Sequence, residues 1–380
     1  MSAALDPPPN LLVRAVARLA GWLLRGRDRG PVRPESLRRV LVVRPDDRVG
    51  NALLTIPLVR ALQRLLPAAR VDLLLAANRA LVAEGLPDLD VVRFDKRDLF
   101  RRPLQFLRAL WSLRSYDAAI DASHWHAVSL TAALLARWAS RGAVVGIQRS
   151  GFNGIYSVAL PLPPFDQPDV TTKLDLLRGL GLAPPATPAL ETGLALDAAT
   201  LGQRDAALSG LGLSPGGYLA INPGGRKADH RWPPEKFGAV AAALAPVRSL
   251  IFWGPGEEAL AAAVAAASGG AAIAAPPTDL PLLAAYFRGA AAVLTNDTGP
   301  MHLAVACGAP VVAIQLSEDA VRWSHPGPGF AGVPARPDAA DPRGERPIAI
   351  AADAVRRFVL THPAAAPQRA HAAGAAPEEK

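Results

Sequence analysis

Asn296, Asp297, Thr298, Gly299 and Pro300 stand between an apolar run, Ala290 to Leu294, and a helix-like stretch that begins at Met301, with His302 just inside it. The order of strand, tight turn and helix start suits a phosphate or other anion. Unpaired N–H groups of the first helical turn and the positive end of the helix dipole face outward there. Asp297 and Thr298 can cap that helix, and Gly299 lets backbone approach a ligand. A capped helix with no ligand is the competing reading, because every α/β fold contains several.

Three further turns carry polar groups at strand ends. Arg44-Pro45-Asp46-Asp47-Arg48-Val49-Gly50-Asn51 follows the first strand-like run, where Asp46 or Asp47 can act as a general base or simply complement a helix dipole. The segment from Asn222 to Glu235 holds Gly224 and Gly225, the cations Arg226, Lys227 and Arg231, and His230, a composition that suits a diphosphate. Trp232-Pro233 would pin that loop to the following helix and aim its charges. In Trp253-Gly254-Pro255-Gly256-Glu257-Glu258, a carboxylate at a helix start can accept from ribose hydroxyls or serve as a cap. No full GxGxxG follows a strand-like run, and neither GxxxxGK[ST] nor GxSxG occurs, which removes support from dehydrogenase, P-loop and serine hydrolase readings. His124 and His126 are two apart, and His302 and His325 are remote in sequence, so no metal site and no cofactor is expected.

These turns need a scaffold, and the pattern supplies one. Strands are expected at Val40 to Val43, Val71 to Leu75, Val91 to Phe94, Ala118 to Asp121 and Ala143 to Ile147, with helices at Ala52 to Leu66, Leu104 to Leu113 and Ala127 to Trp138. Proline clusters from Pro161 to Pro168, and proline with glycine from Gly179 to Pro188, read as connections. A second series then places strands at Tyr218 to Ile221, Leu250 to Phe252, Ala290 to Thr295 and Val311 to Ile314. Its helices are expected at Glu235 to Leu244, Glu257 to Ala267, Leu280 to Arg288, from Met301, and at Ala351 to Leu360. This is α/β architecture with two doubly wound, Rossmann-like domains, 37–190 and 200–362, flanked by a basic amphipathic extension, 1–36, and a disordered Ala/Pro-rich tail, 363–380. In such sheets ligands bind beyond the carboxyl ends of the strands, so a cleft between facing domains is the expected site.

The chain of 380 residues, half of them hydrophobic, is long enough for two cores, and its lone Cys307 excludes an internal disulfide and fits a reducing cytoplasm. Net charge of +8 suits nucleic acid, an anionic membrane surface or a phosphorylated substrate, and arginine composition explains it equally well. A nucleic-acid partner lacks a recognition module and is not expected. No apolar run is long enough to cross a bilayer. Leu11 to Arg29 is too interrupted by charge for a signal peptide; it suits either a helix lying on anionic lipid or one packed on its own domain.

Taken together, the turns resemble glycosyltransferase family 9, the ADP-heptose:lipopolysaccharide heptosyltransferases, over roughly Arg39 to Trp323. The resemblance is carried by Val42-Val43-Arg44 with Asp47-Arg48-Val49-Gly50-Asn51-Ala52-Leu53-Leu54-Thr55-Ile56-Pro57, by Asn222-Pro223-Gly224 with Arg231-Trp232-Pro233, and by Asn296-Asp297-Thr298-Gly299-Pro300-Met301-His302. It implies a GT-B fold and inverting transfer of a heptose or related sugar from a nucleotide donor to a phosphorylated, lipid-linked saccharide such as the lipopolysaccharide core. It also implies a cytoplasmic enzyme, peripheral at the inner membrane. On that pattern the second domain holds the donor: Thr298 to Met301 the diphosphate, Asp297 beside it and the sugar, and Glu258 with Glu257 the nucleoside. The first domain supplies acceptor contacts and the base.

Two positions depart from the family pattern. Members usually carry Asp where this chain has Asn51, and that Asp is held to deprotonate the acceptor; a carboxamide cannot. Asp47 or Asp46, in a loop one residue longer, can take the role, or Asn51 can position the acceptor. At His230 many relatives place a Lys that neutralises the departing diphosphate, a charge that His230, Lys227, Arg226 or Arg231 can replace. A sugar-nucleotide-binding homologue without catalysis is therefore the alternative to a transferase.

Overall fold

In the computed structural model of the chain the described residues are 32–126, 129–148 and 154–361, with Ala15 and Leu19. Apart from those two single residues, the basic stretch from Leu11 to Arg29 lies outside them, as does the tail 363–380. The chain divides into two compact units, Met1–Gly193 and Leu194–Lys380.

The first unit is built on β1 (Arg39–Arg44), β2 (Arg70–Ala76), β3 (Asp90–Phe94), β4 (Tyr116–Asp121), β5 (Ser140–Ile147) and β6 (Val158–Leu160). All pairings are parallel, in the order β3-β2-β1-β4-β5-β6. Val40 to Val43 are fully buried, as a strand covered on both faces requires. The helix expected from Ala52 to Leu66 is instead two, Val49–Leu53 and Ile56–Leu65. Pro57 has no N–H to offer the carbonyl of Leu53, and Thr55 donates its hydroxyl to the Asn51 carbonyl at 2.8 Å where the first helix ends. Between the two stretches read as connections lies the helix Asp169–Asp175, entered from Pro168 and buried at Asp169, Val170, Thr172, Lys173 and Leu174.

The second unit repeats the plan with β7 (Tyr218–Asn222), β8 (Arg248–Ile251), β9 (Ala272–Ala274), β10 (Ala292–Asn296), β11 (Val311–Gln315) and β12 (Phe330–Pro334), again all parallel. Its order, β12-β11-β10-β7-β8-β9, is the winding of the first sheet read from the other edge. Trp232 and Phe237 pack edge to face at 5.2 Å in the core beneath Val240, Leu294 and Val355. Beyond the expected elements are the helix Ala198–Gly210 and the strands β6, β9 and β12. β6 and β9 are three residues each, and β12 contains Gly332 and Pro334, so none shows the apolar run that marks a strand.

Both sheets therefore have the Rossmann order, in which winding reverses between the first and fourth strands of each unit. In the first unit that point lies between β1 and β4, and in the second between β7 and β10. The turns singled out at Arg44, Asn222 and Asn296 leave the carboxyl ends of these strands.

Candidate active site

In the second unit Asn296 joins the loops. As the last residue of β10 it is fully buried; its Nδ2 donates to the carbonyls of Pro223 at 2.7 Å and Gly224 at 3.2 Å, and its Oδ1 accepts from Trp232 N at 2.9 Å. The Glu257 carboxylate accepts from Gly225 N at 2.9 Å and Gly254 N at 3.0 Å and pairs with Arg231 at 3.2 Å, while Arg231 Nε donates to the Gly225 carbonyl. A Cβ on Gly224 would overlap the Glu257 carboxylate, and one on Gly225 would meet Thr298 Cγ2 at 2.9 Å, so a larger residue at either position would displace these side chains. The turns at Asn222, Trp253 and Asn296 thus meet in one place.

The helix Gly299–Ala306, which contains Pro300, Met301 and His302, starts there. It lacks the side-chain cap expected from Asp297 or Thr298; the Thr298 hydroxyl turns back to the Asn296 carbonyl at 3.4 Å. Asp297 Oδ2 is buried with no protein partner. Arg226 and Lys227 are exposed and make no ion pair among the described residues, and His230 ends the short turn Ala228–His230. Glu258 is exposed at the head of its helix, so Glu257 is the carboxylate tied into the loops. His302 is turned inward: its Nδ1 lies 2.8 Å from His325 Nε2, a contact that a separation of 23 positions conceals in the sequence. Burial pushes His325 down to about 4.

Burial, with the charge of Asp319 second, pushes the Asp297 carboxyl up to about 7. Between its unfolded value near 4 and its folded value the native state holds a proton that the unfolded chain has lost. Its contribution to stability is complete below about pH 4 and is lost as pH rises through about 7. Asp297→Asn cannot ionise. Its unfolding free energy relative to the wild type should climb from pH 4 and level above pH 7 in denaturant titrations, and a difference independent of pH would contradict this assignment.

In the first unit β1 delivers Arg44, and His124 follows three residues after the end of β4. Arg44, 2% exposed, donates to the Ala122 carbonyl at 2.9 Å, lies 2.6 Å from His124 Nε2, and places Nε 2.7 Å from Asp46 Oδ2 as an ion pair. A guanidinium only donates, so Nε2 accepts and Nδ1 carries the ring proton towards Asp169 Oδ1, 3.0 Å away. The other Asp169 oxygen pairs with Lys173, and both residues are buried. Burial raises the Asp169 carboxyl, but Lys173, His124 and Arg44 outweigh it and hold the group well below the carboxylate range. Burial, aided by Arg44, takes His124 well below the imidazole range, leaving it neutral.

Asn51 lies between this network and the loop. Its Nδ2 donates to Asp46 Oδ1 at 2.9 Å, and its Oδ1 sits 2.9 Å from His124 Nε2, two acceptors side by side in the tautomer that Arg44 selects. Asp46 also accepts from Arg48 N at 3.0 Å and keeps its carboxyl 35% exposed. Asp47 is exposed, its carbonyl held by Arg79 and its carboxylate without an ion pair among the described residues. Of the two aspartates, only Asp46 is oriented. Sequence reasoning missed His124, Asp169 and Lys173; the available signal was the place of His124 just past the fourth strand, at the reversal of the winding.

Two units wound in the Rossmann order, one with an uncapped helix start beside a buried carboxyl and the other with an oriented carboxylate on a cationic support, define an α/β protein of two doubly wound units. Residues 105–329 match the model of Glycosyltransferase family 9 (heptosyltransferase), and the chain belongs to that family. No curated protein matches it in sequence. Its fold is that of the family 9 glycosyl transferase from Veillonella parvula, at 19% identity and a TM-score of 0.66 over 79% of this chain and 87% of that one. It is also that of the E. coli heptosyltransferase WaaC with ADP, at 21% identity and 0.63 over 85% and 99%, and of E. coli ADP-heptose lps heptosyltransferase II, at 18% and 0.58 over 85% and 98%. The architecture is accordingly GT-B-like, and the chain is a heptosyltransferase-like glycosyltransferase of family 9.

Proposed function

We propose that this enzyme transfers a heptose or related sugar, with inversion, from an ADP-heptose-like nucleotide donor to a phosphorylated, lipid-linked saccharide of the lipopolysaccharide-core kind. On this reading it works in the cytoplasm at an anionic membrane surface. The observation that carries the donor reading is the uncapped helix start at Thr298 and Gly299, bordered by the loops that Asn296 and Glu257 tie together. Backbone from Thr298 to Met301 with Gly224 and Gly225 receives the diphosphate, while Arg226, Lys227, His230 and Arg231 neutralise its charge as the bond to the sugar breaks. Asp297, bearing its proton when the anion is bound, lies beside diphosphate and sugar, and Glu257 and Glu258 meet the nucleoside. His302 supports the helix from within.

In the first unit Asp46 is the general base. It takes the proton of an acceptor hydroxyl as that oxygen bonds to the anomeric carbon and the nucleoside diphosphate departs with the electron pair of the broken bond. Asn51 and Arg44 orient it, and Asp47 remains a solvated neighbour. A thermal-shift screen of ADP-, GDP- and UDP-sugars tests the donor assignment, since a ligand of the folded state raises its stability by about 2.7 kcal/mol at a hundred times its Kd. ADP-sugars should raise Tm most. Failure of every nucleotide diphosphate to raise it would overturn the reading.

A further inference from the structure

We propose that the helix Pro103–Ser112 and the turn before it form the face by which this enzyme lies on an anionic lipid bilayer. No residue of that helix is buried. Phe106 and Leu110 rest on their own unit, Phe106 against the Phe94 ring at 5.8 Å and Leu110 on the core beside β4. The opposite face is apolar too. Leu104 is 71% exposed, Leu107 55% and Trp111 66%, at the three- and four-residue spacing of a single stripe, and Phe100, just ahead of them, is 86% exposed. A helix that leaves an aromatic and two leucines in water on its outer side has a partner outside its own fold.

The charges around the stripe select that partner. Between positions 96 and 114 the only carboxylate is Asp98, against Lys96, Arg97, Arg101, Arg102, Arg108 and Arg114. Arg101, Arg102 and Arg108 make no ion pair among the described residues, and Arg114 stacks on the Trp111 ring at 4.6 Å, holding it at the surface. Arginine beside tryptophan, phenylalanine and leucine is the composition of a helix lying in a lipid interface, where the cations meet headgroup phosphates and the rings enter the acyl boundary. Two other occupants are disfavoured by charge. The segment Leu11 to Arg29 carries five arginines of its own, and a second copy docking by two-fold symmetry would bring the same arginines face to face. No helix among the described residues is long and apolar enough to cross a membrane, so the association is with one leaflet.

This inference rests on the lipid-linked acceptor only for its purpose, because the test needs neither donor nor acceptor. The full chain is sedimented with vesicles of phosphatidylcholine alone and of phosphatidylcholine with about one-third phosphatidylglycerol, in low salt and in about 0.5 M salt. Binding is expected to the anionic vesicles and to weaken in high salt. Leu104→Gln with Leu107→Gln should lower the partition coefficient on the order of tenfold, as should Arg101→Gln, Arg102→Gln and Arg108→Gln together. All five side chains are exposed, so an unchanged circular dichroism spectrum is expected of both variants. Brominated acyl chains should quench wild-type tryptophan fluorescence more than that of Trp111→Phe. Absence of binding, binding unaltered in both variants, or a change from dimer to monomer caused by the leucine substitutions would each overturn the proposal.

Discussion

Asp46→Asn is expected to lower the rate of sugar transfer by about 10²- to 10⁴-fold, the usual contribution of a positioned base, while leaving nucleotide binding intact. The carboxylate is held on three sides, by Arg44, by Arg48 N and by Asn51 Nδ2, and still keeps about a third of its surface open at 35%. That arrangement gives a physical reason for Asn51. With Asp46 in place, a carboxylate at position 51 would stand at hydrogen-bond distance from another, and two such groups share one proton. Asn51→Asp should therefore fail to raise activity; at neutral pH the rate should fall, and the acid limb of the pH–rate profile should move to higher pH. Single-turnover transfer beside nucleotide affinity measures both variants. Transfer unchanged in Asp46→Asn would remove Asp46 from the mechanism, and a gain in Asn51→Asp would mean that the chain has lost its base rather than moved it.

Lys173→Met should destabilise the fold by about 3–5 kcal/mol, the cost of breaking a buried ion pair from one side. Lys173 is 2% exposed and Asp169 1%, and no solvent is available to replace the ammonium. Asp169 would keep only the His124 N–H, in surroundings that raise its pKa by burial. Removing both charges, as Asp169→Asn with Lys173→Met, should cost less than the sum of the single changes, since neither leaves an orphan. Chemical denaturation of the four proteins gives the coupling directly. An additive result would mean that the pair contributes only its packing.

The alternation of apolar runs and helices is plain in the sequence, and so are the polar turns after Arg44, Asn222, Phe252 and Thr295, because a Rossmann winding puts its ligand-bearing loops after its most hydrophobic strands. The first unit was harder to read for a specific reason. Asp169 reaches His124 across 45 positions, from just past a proline cluster that signals a connection, and only folding brings the two together. The pairing of His302 with His325 is hidden in the same way. Helical periodicity predicts the helix near Leu104, but a leucine stripe does not say whether it faces core or solvent. Phe106 and Leu110 take the inner side, and Leu104, Leu107 and Trp111 are left outside.

The hydrogen bonds that Asn296 makes to Pro223, Gly224 and Trp232 bear on how a ligand is received. They fix the glycine loop during folding, so on the proposed donor reading the entropy of ordering that loop is settled before a nucleotide arrives. A receptacle of this kind discriminates by fit rather than by closing around whatever enters, and association there is limited by encounter rather than by rearrangement.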